Sequence, residues 1–263
     1  MLSLLSRLRP AAAARSAAAA AGPAAAAHCK VCGGPADEIF RLPGSKLTGQ
    51  PIPDAADDCP YYECRQCRFL FATLHDGIDH ATLYDEAYWT TQDPDWYGRV
   101  SETLRLVLLA QRFLEVAPWR LRVLDFGCGM GTFVEVARRQ LQMKAWGTDI
   151  IEPRFGRDWF VPAPDLAPGQ FDIVVACEVI EHLADPLRAF GDIKRWLAPG
   201  GVFAFQTACY DPGSCKRDWW YIGPANGHVS LFSARSLDVV AGRLGARRRV
   251  SWNEYPGVQA WQL

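Results

Sequence analysis

The sequence predicts an α/β protein with an open, mostly parallel sheet, helices on both faces of that sheet, and a small cysteine-containing module in front of it. Three observations predict this fold. Apolar runs alternate with stretches of helical periodicity from residue 99 to residue 263, a glycine-rich turn follows the first run, and two Cys-x-x-Cys pairs precede residue 72. A chain of 263 residues has enough material for one large domain and one module.

The first 27 residues differ in composition from the rest of the chain. They contain thirteen Ala, three Arg and three Ser, and the first acidic residue is Asp37. An acid-free leader with Arg and Ser is typical of a mitochondrial or chloroplast transit peptide, and a disordered tail is the alternative. We therefore expect an intracellular protein, which is mitochondrial or plastid if the leader is a transit peptide and cytoplasmic otherwise.

The charge balance argues against a nucleic-acid partner. The chain has 28 basic and 29 acidic residues, and removing the three leader arginines leaves 28 − 3 = 25 basic against 29 acidic. Phosphate binding needs clustered positive charge, and the run Arg247 to Arg249 is too short to follow an RNA. Beyond the leader, no uncharged apolar stretch reaches the length of a membrane span. We expect a small-molecule partner.

Residues 28–72 form the predicted module. Its two Cys-x-x-Cys pairs are separated by 31 residues, and two such turns that face each other make a tetrahedral thiolate cage for a structural zinc ion, similar to a zinc ribbon. A set of reduced, buried cysteines is the alternative, and Cys59 and His28 are spare candidates for the cage. The predicted zinc ligands are Cys29, Cys32, Cys64 and Cys67.

Residues 73–98 connect the module to the main domain. The segment is polar and carries interspersed aromatic residues, namely Tyr84, Tyr88, Trp89, Trp96 and Tyr97. Such a segment either folds over a site as a lid or packs between the module and the domain.

Residues 99–263 form the predicted main domain, in which strands and helices alternate. We expect, in chain order, a helix over 99–116, strands over 121–126 and 144–150 with a helix over 132–140 between them, a strand over 171–177, a helix over 186–197, a strand over 202–207, a helix over 236–244, and closing strands over 248–252 and 258–262. Ligands of such sheets bind at the carboxyl ends of the parallel strands.

A glycine-rich turn stands at the end of the first predicted strand. The pattern Gly127-x-Gly129-x-Gly131 departs from the dinucleotide fingerprint, because Thr132 occupies the place of its third glycine. Asp149, which ends the second strand, is placed to accept hydrogen bonds from ribose hydroxyls. The turn and this acid together predict a nucleoside ligand.

Four successive motifs resemble those of class I S-adenosylmethionine-dependent methyltransferases. They are Val123-Leu-Asp-Phe-Gly-Cys-Gly-Met-Gly131, Gly147-Thr-Asp149, Phe171-Asp-Ile-Val-Val-Ala-Cys-Glu-Val-Ile-Glu-His182 and Leu197-Ala-Pro-Gly-Gly201. The resemblance covers residues 99 to 263 and implies a Rossmann-like domain that binds S-adenosylmethionine. The paired cysteines are similar to the zinc-binding module that precedes a subset of these enzymes, including sugar C-methyltransferases, which continue into a further C-terminal domain.

The resemblance also implies cofactor contacts. It assigns the methionine moiety to Asp125, Gly127 and Gly129, the ribose to Asp149, and the border of the transfer site to Glu178. Only 21 residues separate Asp149 from Phe171, little room for the usual helix, strand and helix, and Asp165 is the one acid late in that gap that is placed to reach the adenine amino group. The complete expected cofactor set is Asp125, Gly127, Cys128, Gly129, Gly131, Asp149, Asp165 and Cys177, in which the two cysteines fill space as small apolar groups.

The catalytic candidates follow the strand over 171–177. Glu178, Glu181 and His182 share one face if the chain turns helical there, and His228 is a fourth candidate. Two carboxylates and imidazoles suit a divalent cation such as Mg, Mn or Zn. The set resembles the metal site of plant small-RNA 3′-terminal 2′-O-methyltransferases and ubiquinone-pathway O-methyltransferases. A histidine that acts as a base without metal, or one that only packs or caps a helix, is the alternative.

Aromatic residues Trp219, Trp220 and Tyr221 either wall an acceptor pocket or pack in the core. From these features we expect an enzyme that methylates an oxygen, nitrogen or carbon atom of a small molecule, with oxygen as the favoured acceptor. A C-methyltransferase that acts on a sugar-type substrate is one alternative. A cofactor-binding assembly or regulatory protein without catalysis is the other.

Overall fold

The computed structural model describes residues 27–78, 99–252 and 257–263. Almost the whole predicted leader and the aromatic part of the predicted connecting segment (Tyr84, Tyr88, Trp89, Trp96 and Tyr97) lie outside the described residues. Eleven strands occur in the described ranges: β1 (Ala27–His28), β2 (Pro35–Leu42), β3 (Cys59–Cys64), β4 (Leu70–Ala72), β5 (Arg122–Phe126), β6 (Lys144–Thr148), β7 (Phe171–Cys177), β8 (Leu197–Gln206), β9 (Ser230–Leu231), β10 (Arg248–Trp252) and β11 (Val258–Gln262). Four α-helices occur there: α1 (Arg99–Gln111), α2 (Thr132–Arg139), α3 (Pro186–Trp196) and α4 (Ala234–Leu244).

The main sheet has six strands in the order β10-β11-β8-β7-β5-β6. The four strands from β8 to β6 are parallel, and β11 and β10 complete the sheet in antiparallel pairing. This arrangement confirms the predicted open, mostly parallel sheet. Strand β8 begins at Leu197 rather than Val202, because Leu197 already pairs with Phe171 across a register irregularity.

Helices cover both faces of this sheet, as predicted. Strand β7 shows why, since its side chains alternate between two apolar layers. Ile173 and Val175 pack with α1 and α2, and Val174 packs with α3 and α4. Both faces are therefore buried, and the carboxyl ends of the strands are left as the place for a ligand.

The short link between β6 and β7 holds no α-helix. It contains two single 3-10 turns, Arg157–Trp159 and Ala163–Asp165. Phe160 forms an isolated parallel bridge with Gly147 at the edge of β6. This bridge replaces a full edge strand, which agrees with the shortness of the sequence between Asp149 and Phe171.

The second sheet is antiparallel and has the order β1-β2-β3-β4-β9. Its last strand, β9, comes from the part of the chain that follows β8, and Phe71 pairs there with Ser230. The Phe69 and Phe232 rings lie 4.8 Å apart, so the sheet is packed onto the larger domain. Of the helices in the described ranges, none is long and apolar enough to cross a membrane.

Candidate active site

A cavity of about 710 Å³ opens at the carboxyl ends of the parallel strands. One end is formed by the glycine-rich turn after β5 and the residues that follow β6. The other end is formed by residues after β7 and β8, by the start of α1 and by the N-terminal module. The cavity wall contains Thr48, His75, Gly77, Ile78, Arg99, Glu102, Asp125, Gly127, Cys128, Gly129, Asp149, Ala163, Cys177, Glu178, His182, Gln206, Trp220, Tyr221, Asn226 and His228.

The turn after β5 requires glycine for conformational and steric reasons. Gly127 and Gly131 have φ of 75° and 76°, in the left-handed region that other residues rarely adopt. A Cβ atom on Gly127 would lie 2.5 Å from the Val179 side chain, and one on Gly131 would lie 2.2 Å from the Phe155 carbonyl oxygen. The glycines therefore let the turn fit closely against its neighbours.

Two carboxylates face the cavity beside this turn, Asp125 buried and Asp149 partly buried. Asp149 accepts hydrogen bonds from the backbone N–H groups of Gly129 (2.8 Å) and Ile150 (2.7 Å). Burial raises the pKa of Asp149, and these donors oppose the increase. Burial first, and then the charge of Asp149, raise the pKa of Asp125 to about 7. A carboxylate pair of this kind suits a cationic ligand with ribose hydroxyls.

The raised pKa of Asp125 makes cofactor binding depend on pH. In the unfolded chain an aspartic acid loses its proton above a pKa of about 3.9, whereas in the folded protein without ligand Asp125 keeps its proton up to about pH 7. The free energy of unfolding therefore decreases as the pH rises between these two values. A sulfonium cofactor favours the ionised carboxylate. We expect the affinity for S-adenosylmethionine to rise roughly 25-fold between about pH 5.5 and 7.5, because the ionised fraction of a carboxyl with a pKa of about 7 rises by that factor. Titration calorimetry measures this, and a flat profile would contradict it.

The other expected cofactor residues divide into two groups. Cys128 and Cys177 line the cavity, whereas Gly131 lies outside its wall at the start of α2. Asp165 is exposed and does not line the cavity, because the turn Ala163–Asp165 contributes Ala163 to the wall instead. We therefore assign no adenine contact to Asp165.

Glu178 is held in a strained and well-defined position. Its φ of 55° is unusual for a residue other than glycine and costs on the order of 1–3 kcal/mol. The Tyr221 hydroxyl donates to its Oε2 at 2.6 Å, and the Gln206 side-chain amide donates to its Oε1 at 3.1 Å. The same amide also donates to Glu102. The end of β8 and the loop that follows it thus fix this carboxylate at the cavity wall.

Glu181 lies behind the wall and is fully buried. Thr207 donates to its Oε2 at 3.0 Å, and the Thr207 and Tyr221 hydroxyls are 3.2 Å apart. Each hydroxyl donates its single proton to a carboxylate, Thr207 to Glu181 and Tyr221 to Glu178, so two neighbouring hydroxyl groups hold the two glutamates. Burial first, and then the charge of Glu178, raise the pKa of Glu181 to about 8. Within the described part of the chain, Glu181 Oε1 has no hydrogen-bond partner.

The two expected histidines meet at the cavity wall. The rings of His182 and His228 lie 4.7 Å apart and are perpendicular. His228 Nδ1 donates to the Tyr221 carbonyl at 2.7 Å, so in the neutral ring Nε2 carries the lone pair. Burial lowers the pKa of His228 to about 4 and that of His182 well below its usual value. Both rings are therefore neutral at pH 7.

The structure brings three of the four catalytic candidates together as a set that could hold a metal ion. One ligand atom each of Glu181, His182 and His228 lies within 4.8 Å of the others. Glu178 does not join them, because only residues Ile180–His182 turn helical and Glu178 precedes this turn. The buried, unpartnered oxygen of Glu181 and two neutral imidazoles are donors that suit a divalent cation.

The predicted cysteine cage is assembled in the N-terminal module. The Cys29 and Cys67 sulfur atoms are 3.5 Å apart, and those of Cys32 and Cys64 are 3.3 Å apart. Sulfur atoms around a zinc ion at about 2.3 Å would be separated by roughly 3.8 Å, so the cage is close to that size. Cys59 packs in a separate apolar cluster, and neither it nor His28 belongs to this set.

Backbone groups support each turn of the cage. The N–H groups of Val31 and Cys32 donate to Cys29 Sγ, and those of Gln66 and Cys67 donate to Cys64 Sγ. Such donors stabilise thiolates, which are the form that binds zinc. The four sulfur atoms fit a structural zinc ion.

Sequence reasoning missed several residues of the site. Gln206 ends β8 beside Glu178, and the rule that parallel strands end at the ligand would have identified it. Arg99 and Glu102 lie on α1, Thr48 comes from the module, and His75 comes from the connecting segment. No local pattern in the sequence marks these four, because tertiary packing alone brings them to the cavity.

Comparison with known proteins identifies the domain. A family model described as a methyltransferase domain matches residues 100–247, more than half of the chain. Ubiquinone biosynthesis O-methyltransferase of Dinoroseobacter shibae is 34% identical over 109 residues, which are 36% of this chain and 44% of the relative. The enzyme of the same name from Xanthomonas campestris is 29% identical over 153 residues, 52% of this chain and 62% of the relative. The chain covers less than two thirds of these relatives.

Solved structures agree in fold. One is the 1,6-didemethyltoxoflavin-N1-methyltransferase of Burkholderia thailandensis, solved with bound 1,6-didemethyltoxoflavin and S-adenosylhomocysteine. It has a TM-score of 0.55 at 16% identity, and the match covers 81% of this chain and 98% of that enzyme. Phosphoethanolamine N-methyltransferase 2 of Haemonchus contortus, solved with S-adenosylmethionine, has a TM-score of 0.53 at 16% identity, with 70% and 48% coverage. At these identities the likeness concerns the fold.

Proposed function

The chain belongs to the methyltransferase domain family as a class I S-adenosylmethionine-dependent enzyme, and on that premise we propose that it methylates an oxygen atom of a small molecule with the help of a divalent cation. The observation that carries this proposal is the cluster of Glu181, His182 and His228, whose two histidines line the end of the cavity away from the glycine-rich turn, the acceptor end, with Glu181 directly behind them. The names of the ubiquinone O-methyltransferase relatives support oxygen as the acceptor.

The cofactor end of the cavity fits S-adenosylmethionine in charge and shape. The cofactor supplies an electrophilic methyl group on a positively charged sulfur atom, and Asp125 and Asp149 give this end of the cavity negative charge. The glycine turn allows close approach of the backbone. We assign Asp149 to the ribose and Asp125, Gly127 and Gly129 to the methionine moiety. Positioning of donor and acceptor then provides most of the rate increase.

Oxygen transfer also requires the removal of a proton from the acceptor. His228, with its pKa lowered to about 4, is a weak base but a good neutral ligand, and its Nδ1–H bond to a carbonyl is the outer-shell contact that metal-bound histidines usually make. A divalent cation held by this cluster would lower the pKa of a hydroxyl acceptor. Glu178, fixed by Tyr221 and Gln206, borders the acceptor and is placed to receive the proton.

A labelled-methyl assay on a small-molecule extract tests the metal-assisted reaction. We expect Glu181→Gln to lower methyl transfer at least about 100-fold, because the cluster loses its only carboxylate. A chelator that leaves the cysteine-bound zinc in place should have the same effect, and Mg, Mn or Zn should restore activity. Glu115→Gln, on an exposed residue outside the cavity wall, is the matched control. Activity that is indifferent to chelation and to Glu181→Gln would refute the role of the metal.

A further inference from the structure

Residues 228–231, which include His228, are hydrogen-bonded on one side to residues 181–183. This second stretch contains Glu181 and His182, the other two members of the metal-binding set. The Val229 N–H donates to the Glu181 carbonyl at 3.0 Å. The Ser230 hydroxyl donates to the Leu183 carbonyl at 2.6 Å. The relative position of His228 and Glu181 therefore depends on how residues 228–231 are held.

The opposite side of this segment is held by the N-terminal module. The Tyr61 hydroxyl donates to the His228 carbonyl at 2.8 Å, and the Ala72 N–H donates to the Val229 carbonyl at 2.9 Å. Tyr61 is fully buried, and burial raises its pKa well above the usual range, so its hydroxyl remains a donor. The module thus holds the carbonyl groups of two successive residues, His228 and Val229.

The cysteine cage lies at the turn that joins the two strands responsible. Tyr61 is on β3, which ends at Cys64, and Ala72 is on β4, which begins three residues after Cys67. The Cys64 N–H donates to the Phe69 carbonyl at 2.9 Å and closes this turn. The Cys67 carbonyl accepts a hydrogen bond from Ser233 at 2.8 Å. The cage is therefore linked to residues 228–233 at both ends, to His228 through Tyr61 on β3 and to Ser233 through the Cys67 carbonyl.

The module supplies Thr48 to the cavity wall at the acceptor end, and the connecting segment that directly follows β4 supplies His75, Gly77 and Ile78. The Thr48 N–H donates to Asn226 Oδ1 at 2.6 Å, two residues before His228. The ammonium group of Lys46, which is buried, donates to the Ile222 carbonyl at 2.6 Å. Residues 222–229 are thus in contact with the module along most of their length.

We propose that the cysteine module shapes the acceptor site by holding the backbone of His228 and Val229, and that Tyr61 is the positioning residue that sets the orientation of His228. This inference rests on the proposed function, because it assumes that the His228 cluster acts on the acceptor. The cofactor end of the cavity is independent of it, since Asp125 lies on β5 and Asp149 directly follows β6 in the main sheet.

Tyr61→Phe in the full, zinc-loaded chain tests the proposal by nitrogen-15 NMR of the histidine rings. In the wild type we expect His228 to show one tautomer, with its proton on Nδ1. Loss of the Tyr61 hydroxyl should loosen the ring from the Tyr221 carbonyl and give mixed tautomers. Zinc content and affinity for S-adenosylhomocysteine should stay within about twofold. Tyr62→Phe is the matched control, because Tyr62 is the next residue of β3 and its ring stacks on Phe71 at 5.7 Å.

An unchanged His228 tautomer in Tyr61→Phe would overturn the proposal. If that variant does not fold, removal of the cysteine-bound zinc from wild-type protein whose Glu181, His182 and His228 cluster is already free of metal gives a second measurement. The His228 signal should then change while S-adenosylhomocysteine still binds. If the single His228 tautomer persists without zinc, or if the His228 signal and S-adenosylhomocysteine binding are lost together, the module has no specific role in positioning His228. Full methyl transfer by His228→Ala would refute the proposed function but leave the tautomer result intact.

Discussion

Asp149→Ala is expected to weaken S-adenosylmethionine binding by at least about 100-fold. The partly buried carboxylate faces the cavity while two backbone N–H groups hold it in place. Hydrogen bonds to a charged group contribute about 1.5–3 kcal/mol each, and two ribose hydroxyls would lose such a partner. The alanine variant also releases the N–H of Gly129, so the turn loses one of its anchors. Titration calorimetry with S-adenosylmethionine and S-adenosylhomocysteine measures the loss.

The matched control for this experiment is Asp165→Ala. Asp165 follows β6 as Asp149 does, but it is exposed and lies outside the cavity wall. We expect its removal to change the affinity by less than about twofold. Equal losses for the two variants, or normal binding by Asp149→Ala, would refute the assignment of the ribose to Asp149.

Cys64→Ser is expected to remove the zinc ion and to lower the melting temperature by at least about 10 °C. Structural zinc stabilises isolated zinc fingers by about 10–16 kcal/mol, and even a third of that value would produce such a shift in a chain of this size. Cys64 is a sensitive position, because its sulfur accepts two backbone N–H groups and it ends the strand that carries Tyr61. Metal analysis and thermal unfolding measure the two effects.

Cys215→Ser provides the comparison for the zinc experiment. Cys215 is only partly buried and lies in the loop after β8, outside the cysteine cage. We expect it to retain one zinc ion per chain and the wild-type melting temperature. A Cys64→Ser protein that melts at the wild-type temperature, or a wild-type protein that contains no zinc, would contradict the structural role of the cage.

The sequence predicted the features that depend on local spacing. The two Cys-x-x-Cys pairs predicted the cage because two residues between cysteines fit one tight turn. Asp149 was found because it follows a parallel strand, where ligands of such sheets bind, whereas the role of Asp125 was implied by the resemblance to class I methyltransferases. The glycine turn was identified by residue type, since only glycine tolerates its backbone angles without strain.

Other features depend on contacts between distant parts of the chain. Glu178 was predicted to share a helical face with Glu181, but a left-handed backbone and bonds to Tyr221 and Gln206 direct it elsewhere. Strand β9 consists of two residues, and its pairing with β4 has no signal in a pattern of period two. The module's contribution to the cavity therefore became visible only in three dimensions.

The most direct test of the central claim is to follow a carbon-13 methyl group from labelled S-adenosylmethionine into a small-molecule extract by NMR. The proposed function predicts a protein-dependent signal from a methyl group bonded to oxygen in a small molecule. A signal from a methyl group bonded to carbon would favour the C-methyltransferase alternative. Label found only in macromolecules, or no transfer by a protein that binds the cofactor, would contradict a small-molecule methyltransferase.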